Sequence, residues 1–190
     1  MQNAKPLKLF MLLLGCKPPG RHTEQHDVFF GIAGSVKELV PQIKLFWPEA
    51  QQGIHVDAWR EVTHVDGFNI RIIDKPLANK NPNTLFFINL GGYTKNIFAE
   101  QHYTMLSVQA NKASAIANAK ETLFYKQVNF AGAPSHIDDH YGIDVDDLYA
   151  VEDILTPSQK AIYGIQISAC LGEVEADEIH LGYFKLDKLP

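Results

Sequence analysis

Apolar residues in this chain gather into two closely similar runs. Leu7 to Gly15 is an apolar stretch closed by glycine, and Leu85-Phe86-Phe87-Ile88-Asn89-Leu90-Gly91 repeats the pattern mid-chain. Short apolar runs bounded by turn residues predict strands buried on both faces. Lys17 to Thr23 contains Pro18-Pro19-Gly20 and predicts a loop. A second short strand follows, Asp27 to Gly34. Val36, Leu39, Val40, Ile43, Phe46 and Trp47 then recur at helical spacing and predict a helix with one buried stripe. Ser35 and Glu38 have the spacing of a capping box at its start. Pro41 predicts a kink or a restart, because a mid-helix proline removes a hydrogen bond.

Ile54 to Asp57, Arg60 to Val65 and Phe68 to Ile73 are β-prone, and Asp66-Gly67 lies between the last two. Asp-Gly in that position predicts a hairpin, since both turn residues need positive φ. The first unit, 1–74, therefore reads strand, strand, helix, hairpin. Residues 75–84 read as a linker.

The second unit, 85–155, repeats the first, which makes a tandem duplication the organising expectation. At a constant shift of 76 positions, Leu9, Phe10, Leu14 and Gly15 fall on Leu85, Phe86, Leu90 and Gly91. Glu24, Gln25 and His26 fall on Glu100, Gln101 and His102. Past the helix the shift becomes 81, and His55 and Asp57 fall on His136 and Asp138. Asn111 stands where Ser35 caps, with Ile116, Ala119 and Leu123 as the apolar face.

In the remainder, 156–190, Thr156-Pro157 has the form of an N-cap followed by proline at the first helical position. Ile165 to Leu171 and Ile179 to Leu186 alternate as strands and predict a C-terminal β-hairpin on an existing sheet edge. The expected fold class is α+β: two strand-strand-helix-hairpin units in largely antiparallel or mixed sheet, plus that hairpin, in one compact structure.

Composition narrows the function classes. The 190 residues are 46% hydrophobic and 21% charged, ordinary for a globular chain. A formal charge of -5 argues against nucleic acid as a partner, which calls for a basic face. No segment approaches the roughly 18–20 apolar residues of a spanning helix, so no membrane partner is expected. Small-molecule or protein partners and homo-oligomerisation stay open. Two cysteines, Cys16 and Cys170, make no disulfide framework and suit a reducing cytoplasm. A rival reading takes Lys5 to Cys16 as a lipoprotein signal with a lipidated Cys16. The recurrence of its apolar pattern at Leu85–Gly91 favours a strand instead.

Several segments together resemble the domain of unknown function (DUF) 1543 family. They are Leu14-Gly15, Glu24 to Gly31, Phe46-Trp47-Pro48, and His55 to Val62. A weaker second copy shows in Gly91-Gly92, Glu100-Gln101-His102 and His136-Ile137-Asp138-Asp139. The resemblance implies two tandem copies and their boundaries, and implies no activity. The second copy departs where Trp59-Arg60-Glu61 becomes His140-Tyr141-Gly142, which sets the two units apart.

The candidate chemistry lies in Glu24, His26, His55 and Asp57, with Glu100, His102, His136 and Asp138 as the twin set. Residues two apart in a strand project to one face, so Glu24 with His26, and His55 with Asp57, can each present a pair. Imidazoles and carboxylates suit a divalent metal such as zinc, manganese or non-haem iron, with His26, His55 and Asp57 as ligands. They also suit a general-base histidine oriented by a carboxylate. The same residues could serve as turn anchors, because histidine and aspartate both bond backbone groups. Asp138, Asp139, Asp144, Asp146 and Asp147 lack the glycine and terminal glutamate of a calcium loop and read as a solvated acidic face. Trp59 reads as core. The sequence thus supports a binding or structural module, with a metal- or His/carboxylate-dependent enzyme as the alternative.

Overall fold

The structure, a computed structural model, describes residues 6–50, 53–77, 82–93, 96–122 and 143–190. It divides into two compact units, residues 1–79 with 155–190, and residues 80–154.

In the first unit the N-terminal apolar run forms β1 (Lys8–Cys16), which pairs antiparallel with β2 (Gln25–Ala33) on one side and β3 (His55–Glu61) on the other. Leu9 and Phe10, on opposite faces of this strand, are both buried, which is why its sequence does not alternate cleanly. Phe10, Leu12, Leu14 and Cys16 share one face and pack with Phe29, Val36, Leu39, Ile43 and Val56. Gly15 and Leu13 belong to the opposite face by the period-2 geometry of a strand.

The helix covering that core comes in two pieces. A 3-10 turn at Val36–Leu39 leads into α1 (Val40–Phe46), and Pro41 lies in the first turn of α1. A proline there costs no hydrogen bond, because the first helical N–H groups have no internal partner. The expected Ser35 capping box is not formed. Glu38 instead accepts from the Gly34 N–H at 3.1 Å and from the Ser35 hydroxyl at 3.3 Å.

Past β3 the chain forms β4 (His64–Val65) and β5 (Phe68–Asp74) around a turn in which Asp66 and Gly67 have φ of 51° and 78°. Those are the left-handed values that a type I′ turn requires.

The expected C-terminal hairpin is absent. After α4 (Pro157–Ile162), capped by Thr156 as its sequence predicts, β9 (Tyr163–Ala169) pairs with β5, whereas β10 (His180–Lys185) pairs with β3. The two strands join different sheets, ordered β4-β5-β9 and β10-β3-β1-β2. The connection between them is anchored by Asp177, which accepts from the Thr63 and His64 backbone N–H groups and the Thr63 hydroxyl. A hairpin needs its two strands to find each other first; here each finds an earlier partner.

In the second unit β6 (Thr84–Tyr93) pairs antiparallel with β7 (Glu100–Gln109) and β8 (Ile143–Ala150), and α2 (Lys112–Lys120) lies between β7 and β8 in sequence. Asn111 caps α2 with a full capping box, accepting from the Ser114 N–H at 2.9 Å while the Ser114 hydroxyl oxygen accepts from the Asn111 N–H at 3.3 Å. Ala115 and Ala119 pack against Phe86, Ile88 and Leu90, small side chains bringing the helix close to the sheet. The short α3 (Val151–Ile154) follows β8. The fold class is α+β, with antiparallel sheets dominant. No helix among the described residues is long and apolar enough to cross a membrane.

Candidate functional site

The site is organised by a residue with no side chain. Gly15 pairs with His26 of β2 on one side and with His55 of β3 on the other. Directly opposed residues in antiparallel strands share a face, so both imidazoles emerge beside the bare Cα of Gly15. A β-carbon at position 15 would collide with the Asp57 carboxylate and the His55 imidazole.

Asp57 reaches this spot through a β-bulge. Leu14 pairs with Val56 and Leu13 with Ala58, so Asp57 is the extra residue opposite their junction. Bulges of this kind re-aim a side chain out of the regular ladder.

Four side chains then follow one another in contact. Glu24 Oε1 lies 3.0 Å from His55 Nε2, His55 Nε2 lies 3.3 Å from Asp57 Oδ1, and Asp57 Oδ2 lies 3.1 Å from His26 Nε2. His26 and His55 therefore face the same space, joined through one carboxylate. The His55 side chain is 4% exposed, against 45% for His26 and 46% for Glu24, so the chain of contacts runs from a buried imidazole outward.

The tautomer of His55 follows from its other nitrogen. Nδ1 lies 3.1 Å from the Gly53 carbonyl, which can only accept, so Nδ1 carries a proton and donates. Nε2 then points at two carboxylates. Despite the short distances, neither Nε2 nor Asp57 Oδ2 has a hydrogen-bond partner of acceptable direction, and both atoms are fully buried. Proximity without direction is the property of this site that most needs explaining.

Tyr183 of β10 covers the His55 ring, with centroids 4.2 Å apart and planes at 31°. Next to it, His180 stacks on Trp59 at 3.8 Å and 17°. Trp59 is half-buried against the core that Phe10 and Leu12 line, which agrees with its reading as a packing residue.

In the second unit Gly91 pairs with His102, as Gly15 does with His26. His136 and Asp138 lie outside the described residues. The β6–β8 register, however, pairs Gly91 with Asp144 and Leu90 with Val145, and leaves Asp146 at a bulge before Asp147. Asp144 and Asp146 thus take the register positions in this sheet that His55 and Asp57 take in the first unit. Asp146 Oδ2 is 3.4 Å from His102 Nδ1, and Glu100 Oε2 is 3.8 Å from His102 Nε2. One ligand atom from each of Glu100, His102 and Asp146 lies within 4.8 Å of the other two, whereas Glu24, His55, Asp57 and His26 run in a row and no three of them converge that closely. Asn89 Nδ2 donates to Asp147 Oδ2 at 3.2 Å and approaches His102 Nδ1 at 3.4 Å. Desolvation, followed by the charge and hydrogen bond of Glu100 and the charge of Asp146, raises the Tyr93 phenol above its ordinary value.

Cys16 lies on the face of β1 opposite to Gly15. Its thiol is buried and donates to the Ala50 carbonyl at 3.4 Å. Burial, and after it the negative charge of Glu24, holds its pKa above the usual thiol value, the opposite of what a nucleophile needs. Sequence reasoning found Glu24, His26, His55 and Asp57. It missed Gly15 as the floor, Tyr183 as the cover, and Asp146, which it placed in a solvated acidic face. The repeated Val-Asp pair, Val56-Asp57 and Val145-Asp146, was the signal for the last.

Residues 21–72, which include Glu24, His26, His55 and Asp57, match the family described as Domain of Unknown Function (DUF1543). Among solved structures the chain is similar to a protein Il1583 from Idiomarina loihiensis. The TM-score is 0.63 at 20% identity, over 95% of this chain and 97% of that one. That likeness is one of fold. No curated protein matches.

Proposed function

We propose that this protein is a cation-binding module and that its first unit takes a divalent transition metal at Glu24, His26, His55 and Asp57. The observation that carries the reading is His55 Nε2. It is buried, its proton is committed to Nδ1 by Gly53, and it faces two carboxylates without a directed hydrogen bond. A proton on Nε2 would demand direction, because hydrogen bonds weaken steeply off line. A metal ion would sit on the in-plane lone pair of Nε2 itself and take the carboxylates as further ligands, so they need not lie on that axis. The charges agree: two neutral imidazoles and two carboxylates carry -2 together, which a divalent ion cancels. Two imidazoles among oxygen ligands favour zinc, manganese or iron over magnesium or calcium. The Nδ1–carbonyl bond is the usual second-sphere support that orients a ligating histidine.

The two units also support the tandem duplication expected from sequence, since β6 pairs with β7 and β8 as β1 pairs with β2 and β3, and a Val-Asp pair meets each bulge. In this reading Asp144 takes the register position of His55 in the second unit, where His102 is the imidazole among the described residues.

The test is metal analysis of the purified protein, followed by calorimetric titration of the metal-free form with Zn²⁺ and Mn²⁺. One equivalent is expected to bind wild type and to be lost in His55→Ala. Failure of wild type to bind either ion overturns the reading. Binding kept in His55→Ala and lost in His102→Ala would move the site to the second unit.

A further inference from the structure

The four proposed ligands all lie within residues 21–72, yet the part of the site that buries His55 comes from the other end of the chain. β10 hydrogen-bonds to β3 across Trp59, Ala58, Val56 and His55, with an irregularity between Leu181 and Phe184. Tyr183 falls within that irregularity, and its ring lies over the His55 imidazole at 4.2 Å. Tyr183 is itself 66% exposed, so its position is not explained by burial of its own surface. Phe184, its neighbour, supplies the core contact instead. In the second unit the sheet runs β7-β6-β8, and among the described residues no further strand follows β8. Among the described residues the cover is therefore particular to the first unit.

We infer that Tyr183 is a positioning residue for the first-unit metal site: its ring clamps the His55 imidazole from the face that Gly53 does not hold, and so sets how fast the ion leaves. This inference rests on the cation-binding reading above. Two constraints hold the imidazole. The Nδ1–H bond to Gly53 fixes the direction of Nε2 within the ring plane, and the phenol ring lying over it, tilted by 31°, restricts rotation out of that plane. A ligand held in both senses pays little ordering entropy on binding and cannot swing away singly to release the ion. Loss of hydrogen-bonded outer-sphere partners typically costs 10–100-fold in metal affinity, which sets the scale for a contact that holds the same ligand. The ring, and not the hydroxyl, makes the contact, so phenylalanine should serve as well as tyrosine.

The experiment loads the full chain with one equivalent of Zn²⁺ and follows its release to excess EDTA. Release from Tyr183→Ala should be faster by about tenfold or more, and from Tyr183→Phe within about twofold of wild type. Leu181→Ala, on the same strand and 77% exposed, should release at the wild-type rate. Melting of each metal-free variant shows whether β10 still docks. Wild-type release from Tyr183→Ala overturns the inference while leaving the metal site standing. So does acceleration in Leu181→Ala equal to that in Tyr183→Ala, since the strand rather than the ring would then be responsible. A wild-type chain that retains no Zn²⁺ overturns both this inference and the reading it rests on.

Discussion

The Asp57 carboxylate occupies the space that a β-carbon at position 15 would fill, beside the Nε2 of His55. Gly15 is ordinary extended strand, so the requirement for glycine comes from close approach and not from backbone conformation. The absence of one methyl group lets two strands and a bulge bring an imidazole and a carboxylate together over the middle strand.

Gly15→Ala should therefore disturb the first unit more than Gly91→Ala disturbs the second. At Gly15 the new methyl meets a buried imidazole held by Gly53 and Tyr183, which has nowhere to go. Overpacking of this kind costs about 1–3 kcal/mol. At Gly91 the methyl meets first the Asp146 carboxylate, the end of a side chain that is 28% exposed. Its cost should stay within about 0.5 kcal/mol. Denaturant melts of the two variants check the order, and equal losses would contradict it.

His55→Ala and His26→Ala should separate stability from binding. His55 is buried, covered by the Tyr183 ring and bonded to Gly53, so its loss should cost the metal-free protein about 2 kcal/mol. His26 is 45% exposed and its loss should leave the metal-free melt within about 0.5 kcal/mol of wild type. Both should weaken Zn²⁺ binding. A His26→Ala variant that binds Zn²⁺ as wild type does would remove that residue from the ligand set.

Cys16 and Cys170 should differ in reactivity. Cys16 is buried with its pKa raised first by burial and then by Glu24, while Cys170 is partly exposed. With a substoichiometric alkylating reagent near neutral pH, mass spectrometry should find the label on Cys170. The linkage has a definite sign. A thiol whose folded pKa exceeds its unfolded one contributes stability fully below the unfolded pKa, and loses it as pH rises past that value toward the folded one. Glu24→Gln removes one of the two causes and should narrow that window. A preference for Cys16 in the labelling would refute the burial argument.

The helix caps offer a comparison between the two units. Asn111 accepts a backbone N–H inside a complete capping box, so Asn111→Ala should cost about 1 kcal/mol. Ser35 makes no such bond and only donates to Glu38, so Ser35→Ala should cost less. Thermal melts of both variants suffice, and a larger loss at Ser35 would show that the Glu38 contact matters more than its geometry implies.

The sequence by itself determined what depends on neighbours along the chain. The apolar runs at Leu9 and Leu85 became central strands, Asp66-Gly67 became a turn with two positive φ values, and Thr156-Pro157 opened a helix. Glu24, His26, His55 and Asp57 were legible as candidates because two-residue spacing in a strand is a local rule. Only the tertiary structure decided which strand meets which. It sent β9 and β10 to different sheets, placed Asp146 at the second bulge, and laid Tyr183 over His55. Strand register and bulges are settled by packing between distant segments, and a slip of one residue exchanges the two faces. Glu-Gln-His could be read twice from sequence, but the bare position between its histidine and the next could not.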